Sequence, residues 1–305
     1  MSTHTLLRGP QWVVVRQHRV PLWTLLALLI AVAGTAAFLQ GWIAVGDTTQ
    51  SGMANGGLSA FLLHSTTVSV VFPLLVGAFV AGPMVARELE SGTYKLLLTQ
   101  SMTATRWLAV RIALATAVAV AGATVLVATY RLGWAAMNTI PVWYREAYET
   151  IGPVPVAYAV LGVGIGALAG LLVRRTVPAM GVTVLAVGAV HATVYGLLRE
   201  HLWPVETITS AAEMAQPAGT QFLDHGMLTA TGERLSWRPC YDAAVADPDP
   251  DPIRCMADRG GVTHFADTHP VSHAWPMQLV ETCIVLALAA LAVAVAFRVL
   301  RRRYA

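Results

Sequence analysis

Residues 85–107 read VARELESGTYKLLLTQSMTATRW and stand between two long apolar runs. Only 12 % of the chain is charged, yet this segment alone holds Arg87, Glu88, Glu90, Lys95 and Arg106. A turn joining two membrane-buried helices needs far fewer polar residues. Glu88 and Glu90 stand near the start of a helical pattern, where the helix dipole favours negative charge. Gly92 breaks or bends that helix. Leu96, Leu97 and Leu98 follow, and Thr99, Ser101, Thr103 and Thr105 then offer starts for a second helix. The pattern predicts two short helices around a glycine, lying at a membrane surface with exposed acids available to a soluble partner. A helix that merely lies in the lipid interface would carry Lys and Arg across its polar face, whereas here two acids are mixed in.

The composition agrees with a membrane setting. The chain has 305 residues, 56 % of them hydrophobic, and a mean hydropathy of +0.59. A soluble domain is nearer 45–50 % apolar and about 25 % charged. A membrane helix needs about 20 apolar residues, and six stretches qualify: residues 22–45, 60–82, 107–130, 156–173, 177–198 and 275–297. The first is too long for the apolar core of a signal peptide and is read as a retained span. Arginines collect before span one (Arg8, Arg16, Arg19), after span two (Arg87 and Arg106, with Lys95 and Arg111), after span four (Arg174, Arg175) and after span six (Arg298, Arg301, Arg302, Arg303). Six alternating spans put all of these on one side, which the positive-inside rule makes cytoplasmic. Both termini and the opening stretch are therefore expected in the cytoplasm, at a bacterial cell membrane.

Four regions follow: a basic segment at 1–21, spans one to five at 22–200 with the polar element at 83–106, a loop at 201–274, and the last span with its basic tail at 275–305. The loop is acidic, with ten Asp and Glu against four Arg. It is large enough for a small cap but marginal for an independent core. Its ADPDPDPIRC run (residues 246–255) carries prolines that exclude regular helix and favour extended turns. Cys240 and Cys255 both fall in this loop, on the oxidising side, where a disulfide is expected over two free thiols. Cys283, in span six, reads as a small apolar residue.

The run E-L-E-S-G-T-Y-K-L-L-L-T-Q-S resembles the cytoplasmic signature of ABC type-2 transporter permeases, in which E-x-E-x-G-T leads to a Leu-rich stretch and a Ser/Thr/Pro turn. Glu88, Glu90, Gly92, Thr93, Leu96, Leu97 and Thr99 are the matching positions, and Ser101 stands where the family often has proline. The resemblance implies an all-α membrane protein of six spans with cytoplasmic termini. It also implies a coupling helix that seats in a groove of an ATP-binding subunit, and a largest external element between spans five and six. On this reading Arg87, Glu88, Glu90, Gly92, Thr93, Lys95, Leu96 and Leu97 make the partner-binding surface. The basic N-terminal segment similarly resembles the family's interfacial connecting helix, and reads equally well as a tail that serves topology alone.

Energy must come from elsewhere. A P-loop needs G-x-x-x-x-G-K-[ST], and the one lysine of the chain, Lys95, lacks the preceding glycines. ATP and Mg are therefore expected on a partner chain: two ATP-binding subunits, with a second permease as homodimer or related chain. Membrane lipid completes the expected surroundings, and no nucleic acid is expected.

Other motifs are weaker. GVGIGALAG (residues 162–170) looks like a dinucleotide loop, but no soluble strand precedes it and no acid follows at the usual distance. Gly162, Gly166 and Gly170 instead share one helix face and permit close helix approach. His191 in span five and Glu281 in span six are costly ionisable groups inside the membrane and are candidates for a polar substrate path. The alternative is a neutral His191 bonded to Thr193 or Tyr195, and an interfacial Glu281. His225, His264, His269 and His273 of the loop match no strong metal template, and neither a metal site nor a catalytic constellation is expected. The chain is thus expected to be the permease subunit of an ATP-driven exporter, not an enzyme. The second reading is a sensor or resistance module whose acidic cap binds a cell-wall-active peptide or a lipid-linked ligand.

Overall fold

The computed structural model describes residues 64–94, 103–137, 145–210, 220–244 and 251–304, with isolated positions between 27 and 60. Five helices among them are long and apolar enough to cross a membrane: Thr67–Glu90, Ala104–Gly133, Val154–Val173, Thr176–His201 and Val271–Arg303. They coincide with expected spans two to six. Span one lies almost wholly outside the described residues, where Ala27, Ile30, Ala31, Gly34, Thr35 and Phe38 are helical. The chain divides into a helical unit (residues 1–139, 145–196 and 278–305) and a second unit (residues 140–144 and 197–277).

In the helical unit, span two is α1 (Ser65–Leu75), a π-helical segment (Val76–Ala81) and α2 (Gly82–Glu90) in continuous succession. The π segment follows Pro73, which has no N–H for the ladder. Next come α3 (Ala104–Met137), a single turn α4 (Arg145–Tyr148), α5 (Val154–Val173), α6 (Thr176–Thr193) and, after the second unit, α9 (Ala274–Tyr304). A second π segment, Val194–Leu198, extends α6.

The glycine face of α5 does what its spacing predicts. A Cβ on Gly77 would lie 2.6 Å from the Gly162 carbonyl, and one on Gly170 would lie 2.9 Å from the Gly82 carbonyl. A Cβ on Gly162 would strike the Pro73 carbonyl, and one on Gly166 the Gly77 carbonyl. Two helices of this bundle therefore meet backbone to backbone along three turns. The opposite side of α5 takes α9, where a Cβ on Gly164 would sit 3.0 Å from the Ala289 carbonyl. Two apolar clusters flank this seam. One joins Phe72, Val76 and Val80 to Ala119, Leu126 and Tyr130 of α3; the other joins Val85, Trp107, Leu108, Leu171 and Leu300. The second cluster brings the ends of α2, α5 and α9 and the start of α3 together, so the arginine-rich segments beside them share one end of the bundle.

The second unit departs from the all-α expectation. It holds a four-stranded antiparallel sheet ordered β1-β4-β2-β3, made of β1 (Glu206–Ser210), β2 (Gln221–Thr229), β3 (Arg234–Ser236) and β4 (Gly261–His269). Gly232, at φ 83°, makes the turn between β2 and β3. Two short helices, α7 (Arg238–Ala244) and α8 (Pro252–Asp258), are joined by the Cys240–Cys255 disulfide, with a Cα–Cα distance of 5.8 Å. That bridge packs with Met227 and Met256 into a small core. The proline-rich run does not exclude helix throughout. Pro252 takes the first-turn position, where its missing N–H costs nothing, and Asp251 caps α8 by accepting from the Arg254 N–H at 3.0 Å.

Substituting Gly166→Leu should push α5 away from the π segment of span two and cost about 1–3 kcal/mol or more. The thermal midpoint of the detergent-solubilised chain reads this. Gly181→Ala, where a Cβ meets nothing within 4 Å, should leave it unchanged or slightly raised.

Candidate functional site

The polar element behind span two begins as the end of α2. Its polar face is divided between outside and inside. Arg87, Glu90, Ser91 and Thr93 are exposed. Glu88 is 3 % exposed and corrects the expectation that both acids face solvent. One turn of helix separates it from the core side of Val85, so its carboxylate turns inward. There it accepts from the Trp107 indole N–H at 2.8 Å and pairs with the Arg111 guanidinium. Arg111 is only 4 % exposed; it donates to the Trp107 carbonyl at 3.1 Å and lies 4.5 Å over the Trp107 ring. Counted with the loop arginines from sequence, Arg111 is instead the internal counter-ion of Glu88. A buried carboxylate is tolerable because both charge and hydrogen bonds are answered.

Glu90 works differently. Its Oε2 accepts from the Thr176 N–H at 2.9 Å and from the Thr176 hydroxyl at 2.7 Å. An acid from α2 thus satisfies the start of α6 and complements its dipole. Between α5 and α6 Arg174 adopts φ 58°, the left-handed conformation that closes the two-residue turn. Gly92, at φ 72°, takes the same conformation just past the end of α2, as the sequence predicts. Thr103 caps α3, its hydroxyl accepting from the Arg106 N–H at 3.3 Å. Lys95, Leu96 and Leu97 lie outside the described residues.

A second polar group occupies the other end of the bundle. His191 lies roughly 22 Å along α6 from Thr176. Its Nε2 is 3.7 Å from the Glu149 carboxylate, and its ring packs at 5.0 Å from Tyr158 and stacks at 6.5 Å on Tyr195. Tyr158 donates its hydroxyl to Glu281 at 3.3 Å. Glu281 is fully buried rather than interfacial, and Glu149 is 3 % exposed. The two sequence candidates, His191 and Glu281, are thus brought together through Tyr158. Glu149 escaped the sequence reading because it lies between spans in a segment taken for loop. The turn after α4 carries it inward. A cleft of ≈ 70 Å³ opens beside Glu149, His191 and Tyr158, lined also by Ser69, Pro73 and Gly188.

In the second unit, His269 meets His273 at 3.2 Å between Nδ1 atoms, and His273 pairs with Glu206 at 3.1 Å. Trp237 stacks on His264 and touches His225 and Tyr241. Burial pushes the Asp267 carboxyl up, but hydrogen bonds from Arg234 and Thr207 and the Arg234 charge outweigh it, holding it below the usual carboxylate value. Among the described residues no group of three His, Cys, Asp or Glu is placed to hold a metal ion.

A family model described as ABC-2 membrane transporter related matches residues 22–199. No curated protein and no solved structure gives a significant match.

Arg111→Met should leave the Glu88 carboxylate buried without its counter-ion and destabilise the helical unit by about 3–5 kcal/mol. The double change Glu88→Gln with Arg111→Met should recover most of that loss. Thermal unfolding of the purified variants measures both.

Proposed function

The chain belongs to the ABC-2 membrane transporter related family, and from that premise we propose that it is the permease of an exporter driven by a separate ATPase that docks at residues 87–99. Membership makes it a multi-pass permease component that works with an ATP-binding subunit. The finer reading adds two such subunits on the cytoplasmic face, binding ATP and Mg, and a second permease of the same or a related sequence. Hydrolysis-driven closure of the ATPases pushes the element after α2. The push passes to spans two and three, turns the two halves and opens a path outward.

The observation that carries this reading is the buried tie from Glu88 to Arg111 and Trp107. It joins the end of span two to the first turns of span three, so force on the polar element reaches both spans rather than dissipating in a loop. Glu90 extends the tie to α6 through Thr176. These carboxylates hold the element in place, and the docking contacts fall to the exposed Arg87, Ser91 and Thr93, with Lys95, Leu96 and Leu97 beyond. The same division separates docking from folding in an experiment. Arg87→Glu combined with Thr93→Arg should reduce co-purification of the ATPase at least fivefold while leaving the thermal midpoint of the permease unchanged. Full retention of the ATPase would remove the docking role from this face.

The second reading, a sensor or resistance module, draws support from the second unit. A sheet accompanied by a disulfide-linked helix pair and an aromatic cluster around Trp237 is more than a connecting loop needs, and its acidic balance suits a cationic ligand. Replacing residues 204–272 with a short Gly/Ser linker discriminates. Loss of the response to a cell-wall-active peptide with basal ATPase intact supports sensing; preserved response supports simple export.

A further inference from the structure

We propose that the cleft bounded by Glu149, Tyr158 and His191 binds the ammonium group of a cationic amphiphile. This rests on reading the helical unit as a permease and names the chemical class that its path would select. The cleft is ≈ 70 Å³ in volume, and its lining contains one carboxylate, one imidazole and two hydroxyls, but no arginine or lysine. The remaining lining is apolar or backbone, from Val70, Leu74, Val154 and Val187 among others. That volume holds a head group and not a drug-sized molecule. An alkyl chain would therefore lie along the apolar lining and leave toward lipid.

The polar groups are matched to a cation. Glu149 supplies negative charge from a position 3 % exposed, where screening by water is weak. The rings of Tyr158 and Tyr195 flank His191, and aromatic faces attract ammonium groups. Glu281, fully buried, accepts from the Tyr158 hydroxyl, which fixes that ring at the wall of the cleft. His191 is the one group of the cleft that can itself become a cation near neutral pH. Protonated, it places a second cation 3.7 Å from the Glu149 carboxylate; neutral, it does not. A proton and an organic ammonium thus compete for the same charge.

The test titrates n-octylammonium into the purified chain by calorimetry, with n-octanol as the uncharged control. The chain is held in phosphatidylcholine nanodiscs without any ATPase. A failure therefore concerns the cleft and leaves the permease assignment standing. Saturable binding of octylammonium but not octanol is expected, weakened about tenfold or more by Glu149→Gln, the loss of one charge-assisted contact. Gly188→Leu should weaken it as well, because a Cβ there meets nothing within 4 Å and the side chain narrows the cleft without a backbone clash. Binding should strengthen as the pH rises and His191 loses its proton, and His191→Gln should abolish that dependence. Equal binding of octanol, undiminished binding in Glu149→Gln, or a pH dependence that survives His191→Gln would each overturn the proposal.

Discussion

The backbone contact between α5 and the span-two helix is the constraint on which the helical unit rests. In lipid there is no hydrophobic gain from bringing two apolar helices together, so close packing must supply the attraction. Gly162, Gly166 and Gly170 provide it by presenting bare backbone along the line of contact, and Gly77 and Gly82 do so on the other side. With that seam closed, α5 is central: span two covers one side, α9 another, and α3 and α6 fill the remainder. The positions of Glu88, Glu90, Glu149 and Tyr158 all follow from it, since each sits on or beside one of the two helices in contact.

Charge is distributed along this frame with a clear division. At one end Glu88 and Glu90 are consumed internally, by Arg111 and by the start of α6, while the arginines around them remain outward. At the other end Glu149 and Glu281 collect around Tyr158 and His191 in an otherwise apolar setting. Ionisable groups so placed are costly in a membrane, and the two ends meet that cost differently. The first uses a close ion pair and helix-end hydrogen bonds, which favour rigidity and transmission. The second uses aromatic rings, a distant imidazole and an open cleft, which leaves room for something to bind.

Much of this was legible in the sequence because membrane helices obey a simple length rule and glycines at every fourth position define a face. Spans two to six, the α5 seam, the break at Gly92 and the Cys240–Cys255 bridge were read from local pattern alone. What escaped depends on rotation and on distant partners. Helical phase decides that Glu88 turns inward while Glu90, two residues on, does not, and a short charged segment carried too few turns to fix that phase. Arg111 was counted by its nearness in sequence to other arginines, whereas its burial is set by Glu88 across 23 residues. Glu149 lay in an apparent connection, and nothing local marks a turn that folds inward. The sheet was hidden because its strands are rich in polar residues and interrupted by helix, so that pairing between β1 and β4 joins residues some sixty positions apart.

The disulfide has a bearing on when, as well as how, this chain matures. Thiols stay reduced in the cytosol and are oxidised beyond the membrane. On the proposed orientation, α7 and α8 cannot be clasped until the segment after span five has been translocated, and span six must then re-enter the bilayer behind it. On that orientation maturation has two separate tasks: oxidative closure outside, and seating of α9 against Gly164 within the lipid. A cell that lacks an oxidant in its outer compartment would make a chain whose spans are complete and whose exterior is unfinished, a lesion for envelope quality control rather than for the insertion machinery.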